Sequence, residues 1–102
     1  MTVPLPDVYQ AELDAATLAQ LVSDLETFAE VLEIREKGAS RAYGETAPLS
    51  LARATERLAS GAVRGVQVRY RHEGGLWMDT LMRQGDVTRL VRLRVPDRAS
   101  GD

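Results

Sequence analysis

Through the last third of the chain, apolar and polar residues alternate. Val66, Val68 and Tyr70 are interleaved with Gln67, Arg69 and Arg71, the two-residue period of a strand with one face buried. The period continues through Leu76, Met78, Thr80 and Met82, and again through Val91, Leu93 and Val95. It predicts three strands, over 66–72, 76–83 and 88–95, joined as an antiparallel meander. The second turn has Gly85-Asp86 at its centre, and glycine in the first central position suits a type II′ hairpin. That turn sets Leu81 opposite Leu90, Asp79 opposite Arg92 and Trp77 opposite Arg94. For the first turn, a three-residue loop Glu73-Gly74-Gly75 is expected. A loop of two or four residues would send Asp79 to the side of Val66, Val68 and Tyr70, and burying an unpaired carboxylate costs several kcal/mol.

In this register Leu76, Met78, Thr80, Met82, Val91, Leu93 and Val95 join Val66, Val68 and Tyr70 on the core face. The opposite face gathers Arg69, Arg71, Trp77, Asp79, Arg92 and Arg94, with Leu81 beside Leu90. Asp79 then lies between Arg69 and Arg92, and Trp77 between Arg71 and Arg94.

Earlier in the chain the period changes. Leu18, Leu21, Val22, Leu25, Phe28, Ala29 and Leu32 recur every three or four residues, the stripe of an amphipathic helix. Asp14 or Thr17 is placed to cap its start, and Thr17 with Gln20 matches a capping box. Val31–Glu36 can either extend the helix or alternate as a strand, and a short strand around 32–36 is the expectation. Gly38, Gly44 and Pro48 mark a loop over 37–48. A second helix over 50–59 begins at Ser50 and stops before Gly61, with Leu51, Ala54, Thr55 and Leu58 on its apolar side. Residues 1–10, with Pro4 and Pro6, read as a flexible leader, 11–96 as a single domain and 97–102 as a loose tail. The predicted fold is α+β, in the order α-(β)-α-β-β-β. Two helices pack on one face of a three- to four-stranded antiparallel sheet, so that each apolar stripe is buried.

Composition narrows the chemistry. The 102 residues include no cysteine and one histidine, His72, which excludes disulfides and thiolate chemistry and leaves little for a histidine metal site. No run approaches the ~20 apolar residues of a membrane span, and nothing resembles a signal peptide. A small cytoplasmic protein, bacterial by its arginine and alanine usage, is the expectation. Twelve of the 13 basic residues are arginine and there is no asparagine, so part of the arginine content reflects codon bias. Residues 1–60 carry five basic and ten acidic side chains, residues 61–102 eight and five.

No catalytic or cofactor pattern stands out. His72-Glu73 could serve acid–base chemistry but flanks a glycine turn. The acid pairs Asp24/Glu26 and Glu33/Glu36 lack metal-ligand spacing, and no phosphate-loop pattern is present. The plainest reading of the arginine–tryptophan face is a solvated surface on which arginine stems cover Trp77. The functional reading is a noncatalytic interaction or accessory domain. It would bind a protein partner or a second copy through Arg69, Arg71, Trp77, Asp79, Arg92 and Arg94, without a cofactor. The alternative is a weak binder of single-stranded nucleic acid or another polyanion.

Overall fold

The computed structural model describes residues 8–38 and 50–96. Seven elements follow one another: β1 (Val8–Leu13), α1 (Ala15–Phe28), β2 (Glu30–Lys37), α2 (Leu51–Ser60), β3 (Gly65–His72), β4 (Gly75–Gln84) and β5 (Val87–Val95). The strands form one antiparallel sheet in the order β1-β5-β4-β3-β2. Both helices lie on one of its faces. Val22 and Leu25 of α1 and Leu51, Ala54 and Leu58 of α2 share a core with Leu13, Val66, Val68, Tyr70, Leu81 and Leu90 of the sheet. The α+β class and the helices-on-sheet arrangement are as the patterns predict, but the sheet has five strands.

The additional strand is β1. The expected boundary between leader and domain, at residue 10, falls inside it. Its signal is legible in retrospect: Ala11 and Leu13 face the helices while Gln10 and Glu12 face away. Asp14 then ends the strand and caps α1. Its Oδ1 accepts from the Thr17 N–H at 2.8 Å, and these hydrogen bonds hold its carboxyl below the ordinary value. Asp14 takes the capping role for which Thr17 was the other candidate.

The first helix is shorter than its apolar stripe. It stops at Phe28, and β2 starts at Glu30, because pairing along β3 satisfies the backbone of 30–37 as fully as a helix would. Of the last members of the stripe, Ala29 packs against the core while Phe28 is left 70% exposed and Leu32 46% exposed. Leu32 sits in a register shift between Val31 and Glu33, and this bulge returns Ile34 and Glu36 to the helix side. The second helix runs as expected. Ser50 Oγ accepts from the Arg53 N–H at 3.1 Å, and Gly61 closes the helix in the left-handed region at φ 84°. Of the predicted 37–48 loop, residues 39–48 lie outside the described residues, as does the tail 97–102.

The β4–β5 hairpin has the predicted register, with Leu81 opposite Leu90, Asp79 opposite Arg92 and Trp77 opposite Arg94, and Gly85 at φ 60°. The β3–β4 hairpin does not. Its loop is two residues long, Glu73 at φ 50° and Gly74 at φ 80°, the conformation of a type I′ turn. His72 therefore faces Gly75, Tyr70 faces Trp77, Val68 faces Asp79 and Val66 faces Leu81. One residue of loop length turns β4 and β5 over relative to β3. Trp77, Asp79, Leu81, Leu90, Arg92 and Arg94 lie on the helix side, and Leu76, Met78, Met82, Val91, Leu93 and Val95 on the side that no element among the described residues covers, the bare side. The placement of Asp79 between Arg69 and Arg92, and of Trp77 between Arg71 and Arg94, is thereby corrected.

Candidate functional site

On the helix side, Asp79 is fully buried and is held by two strands. Arg92 donates from Nε to Oδ1 and from Nη2 to Oδ2, both at 2.9 Å. The Tyr70 hydroxyl donates to Oδ1 at 3.0 Å. A bidentate guanidinium and a hydroxyl supply what a buried carboxylate needs, and this is what admits Asp79 to the core. Next along the hairpin, the Arg94 guanidinium carbon lies 5.2 Å from the centroid of the Trp77 ring, within cation–π range. Gly75 lies beneath this stack: a Cβ there would meet Trp77 Nε1 at 2.9 Å and the Arg94 guanidinium at 3.1 Å. A second inward ion pair joins the layers, Arg57 Nε to Glu36 Oε2 at 2.6 Å. No buried side-chain nitrogen or oxygen among the described residues lacks a hydrogen-bond partner.

These groups are committed to one another. Burial, and then the negative charge of Asp79, push the Tyr70 hydroxyl well above its ordinary value of 10.0. It stays protonated as a donor and offers no base at neutral pH. The Asp79 hydrogen bonds hold the Arg92 guanidinium more firmly charged. A cleft of about 360 Å³ opens beside the cluster, between the end of α1 and the sheet, walled by Leu21, Leu25 and Phe28 over Tyr70 and Arg92. His72 Nδ1 lies 3.3 Å from the Phe28 carbonyl oxygen at its rim. A second groove, between the helices, is crossed by Glu26, whose Oε2 accepts from the Ala52 N–H at 3.3 Å.

The Tyr70 shift has a consequence in alkali. The unfolded chain loses this proton near pH 10.0, whereas the folded chain keeps it to higher pH. The stabilisation is complete below pH 10 and is lost as pH rises through the folded value. Between pH 9 and 11, urea midpoints are expected to fall more steeply for the wild type than for Tyr70→Phe. Equal slopes would remove Tyr70 as the source.

The bare face reads as a grid through the strand registers, in the order β1, β5, β4, β3, β2. Its levels run Val95, Leu76, Arg71, Glu30; then Leu93, Met78, Arg69, Glu33; then Gln10, Val91, Thr80, Gln67, Arg35; then Glu12, Arg89, Met82, Gly65, Lys37. Its centre is apolar and its charges are peripheral. Arg69 Nη1 lies 3.4 Å from Glu33 Oε1, and Arg35 Nε lies 3.4 Å from Glu33 Oε2. Arg71 stands opposite Glu30 and Arg89 opposite Glu12. Arg89 also donates to Gln10 Oε1, and Gln67 donates to Thr80 Oγ1 at 3.3 Å.

The six predicted site residues therefore separate. Trp77, Asp79, Arg92 and Arg94 stay together on the helix side, and Arg69 and Arg71 lie on the other face beside β2. The patterns located the apolar block of the bare face but assigned it to the core. No protein-family model, curated protein or solved structure matches the chain. No helix among the described residues is long and apolar enough to cross a membrane.

Proposed function

We propose that this is a small noncatalytic interaction domain that engages a protein through the bare face of its sheet. The observation that carries this reading is the inverted hairpin. In β4 and β5 the charged residues Asp79 and Arg92 point toward the helices, while Leu76, Met78, Val91, Leu93 and Val95 point away from them. A one-sided antiparallel sheet ordinarily turns polar residues to water. On this face Leu76 is buried, Met78, Val91, Leu93 and Val95 are half-buried and Met82 is 47% exposed, and a contiguous apolar patch of this kind marks a contact surface. The polyanion reading has less support, because among the described residues no aromatic ring shares the face of Arg69 and Arg71 and the chain carries a net charge of −2.

Affinity capture with nuclease-treated source lysate tests the surface. A bound protein is expected to be lost with Leu93→Glu and kept with Arg94→Glu, each variant first confirmed folded by circular dichroism. Loss with Arg94→Glu alone would move the contact to the Trp77–Arg94 stack. A capture that depends on nucleic acid would favour the polyanion reading.

A further inference from the structure

We infer that the bare face is closed by the same face of a second copy of this chain, forming a symmetric dimer of stacked sheets. This rests on the interaction reading above and names its partner. The face has little to attract a strongly charged partner. Each of its three acids, Glu12, Glu30 and Glu33, already stands opposite an arginine of the neighbouring strand. What is left to satisfy is apolar and lies along β4 and β5, so the partner has to bring an apolar block of similar size.

Extent agrees. The four strands that overlap, β1, β5, β4 and β3, lie about 4.8 Å apart over levels spanning about 25 Å and give a plan area on the order of 500 Å². Side-chain relief raises this toward the roughly 800 Å² per partner of a stable interface. Sheets pack face to face about 10 Å apart with strands within about 30° of alignment.

The registers also make the face complementary to itself. A two-fold axis along the strands, between β4 and β5, lays β4 of each copy over β5 of the other and β3 over β1. Level by level, Met78 meets Leu93 of the second copy, and Val95 meets the outer edge of Leu76, which is itself 8% exposed, each contact occurring twice. Glu12 comes over Gly65, next to Lys37, which has no acid opposite it in the sheet. The acid of one copy thus reaches the basic corner of the other. Isologous pairing of this kind is the commonest route to a closed assembly.

Sedimentation equilibrium on the purified full chain tests the dimer. The expected mass is twice the 11.2 kDa of the chain. Leu93→Glu is expected to weaken association at least about 30-fold, as losing a central apolar anchor does. Lys37→Glu is expected to weaken it less, and adding Glu12→Lys to restore it, a rescue that a merely unfolded variant cannot give. A wild type that remains monomeric at about 100 µM overturns the inference, and so does a dimer indifferent to Leu93→Glu. If the wild type is monomeric while Leu93→Glu still abolishes capture of another protein, only the second copy is wrong. If capture is also unaffected, the surface reading falls with it.

Discussion

Asp79→Ala is expected to destabilise the domain by about 3–5 kcal/mol, the cost of removing one member of a buried, hydrogen-bonded ion pair. The substitution strands two partners at once. Arg92 loses both of its charge-assisted hydrogen bonds, and the Tyr70 hydroxyl loses its acceptor. For a domain of this size the loss is a large part of the total, so the variant is expected to be partly unfolded at 37 °C. Arg92→Met alone leaves Asp79 with only the Tyr70 hydroxyl and is expected to cost nearly as much. The double variant Asp79→Leu with Arg92→Met removes both charges together and is expected to lie far closer to the wild type than the sum of the single changes. Urea denaturation of the four proteins, analysed as a double-mutant cycle, gives the coupling. Additive effects would show that the pair is not a unit and that Asp79 is not buried against Arg92.

Leu81→Ala is expected to cost about 2–5 kcal/mol, whereas Met82→Ala is expected to stay within about 0.5 kcal/mol. The two residues are neighbours in β4 and point to opposite faces. Leu81 is fully buried among Val66, Leu90 and the helices, and Met82 is 47% exposed at the edge of the bare face. The pair reports which side of the hairpin the helices cover. The alternation of the sequence favours Met82 as the core residue and Leu81 as the surface one. Thermal or urea unfolding in that reversed order would restore the three-residue β3–β4 loop and expose Asp79.

Much of this reversal turns on one argument. Excluding Asp79 from the core assumed that its carboxylate would be unpaired there. The residues that pair it were in view: Arg92 stands opposite it in the β4–β5 register, and Tyr70 is on β3. What periodicity does not supply is the knowledge that three side chains from three strands converge on one point. It also treats the most apolar face as the covered one. Here no element among the described residues covers the most apolar face of β4 and β5, and the face under the helices carries an ion pair, so hydrophobicity alone chose the wrong side.

The sequence by itself determined what short-range physics controls. The β4–β5 register follows from Gly85-Asp86, whose turn geometry constrains pairing along the hairpin. The limits of α2 follow from Ser50 and Gly61, which satisfy its terminal backbone groups locally. The start of α1 is legible for the same reason, to within the choice between Asp14 and Thr17. Tertiary structure decided what depends on partners distant in the chain. It recruited Val8–Leu13 as an edge strand because β5 offered a free ladder. It ended α1 at Phe28 because β3 offered another. It also selected the two-residue β3–β4 loop, since burying Asp79 is tolerable only where Arg92 and Tyr70 meet it. Loop length differs by one residue between the two registers, and in a strand one residue exchanges the two faces.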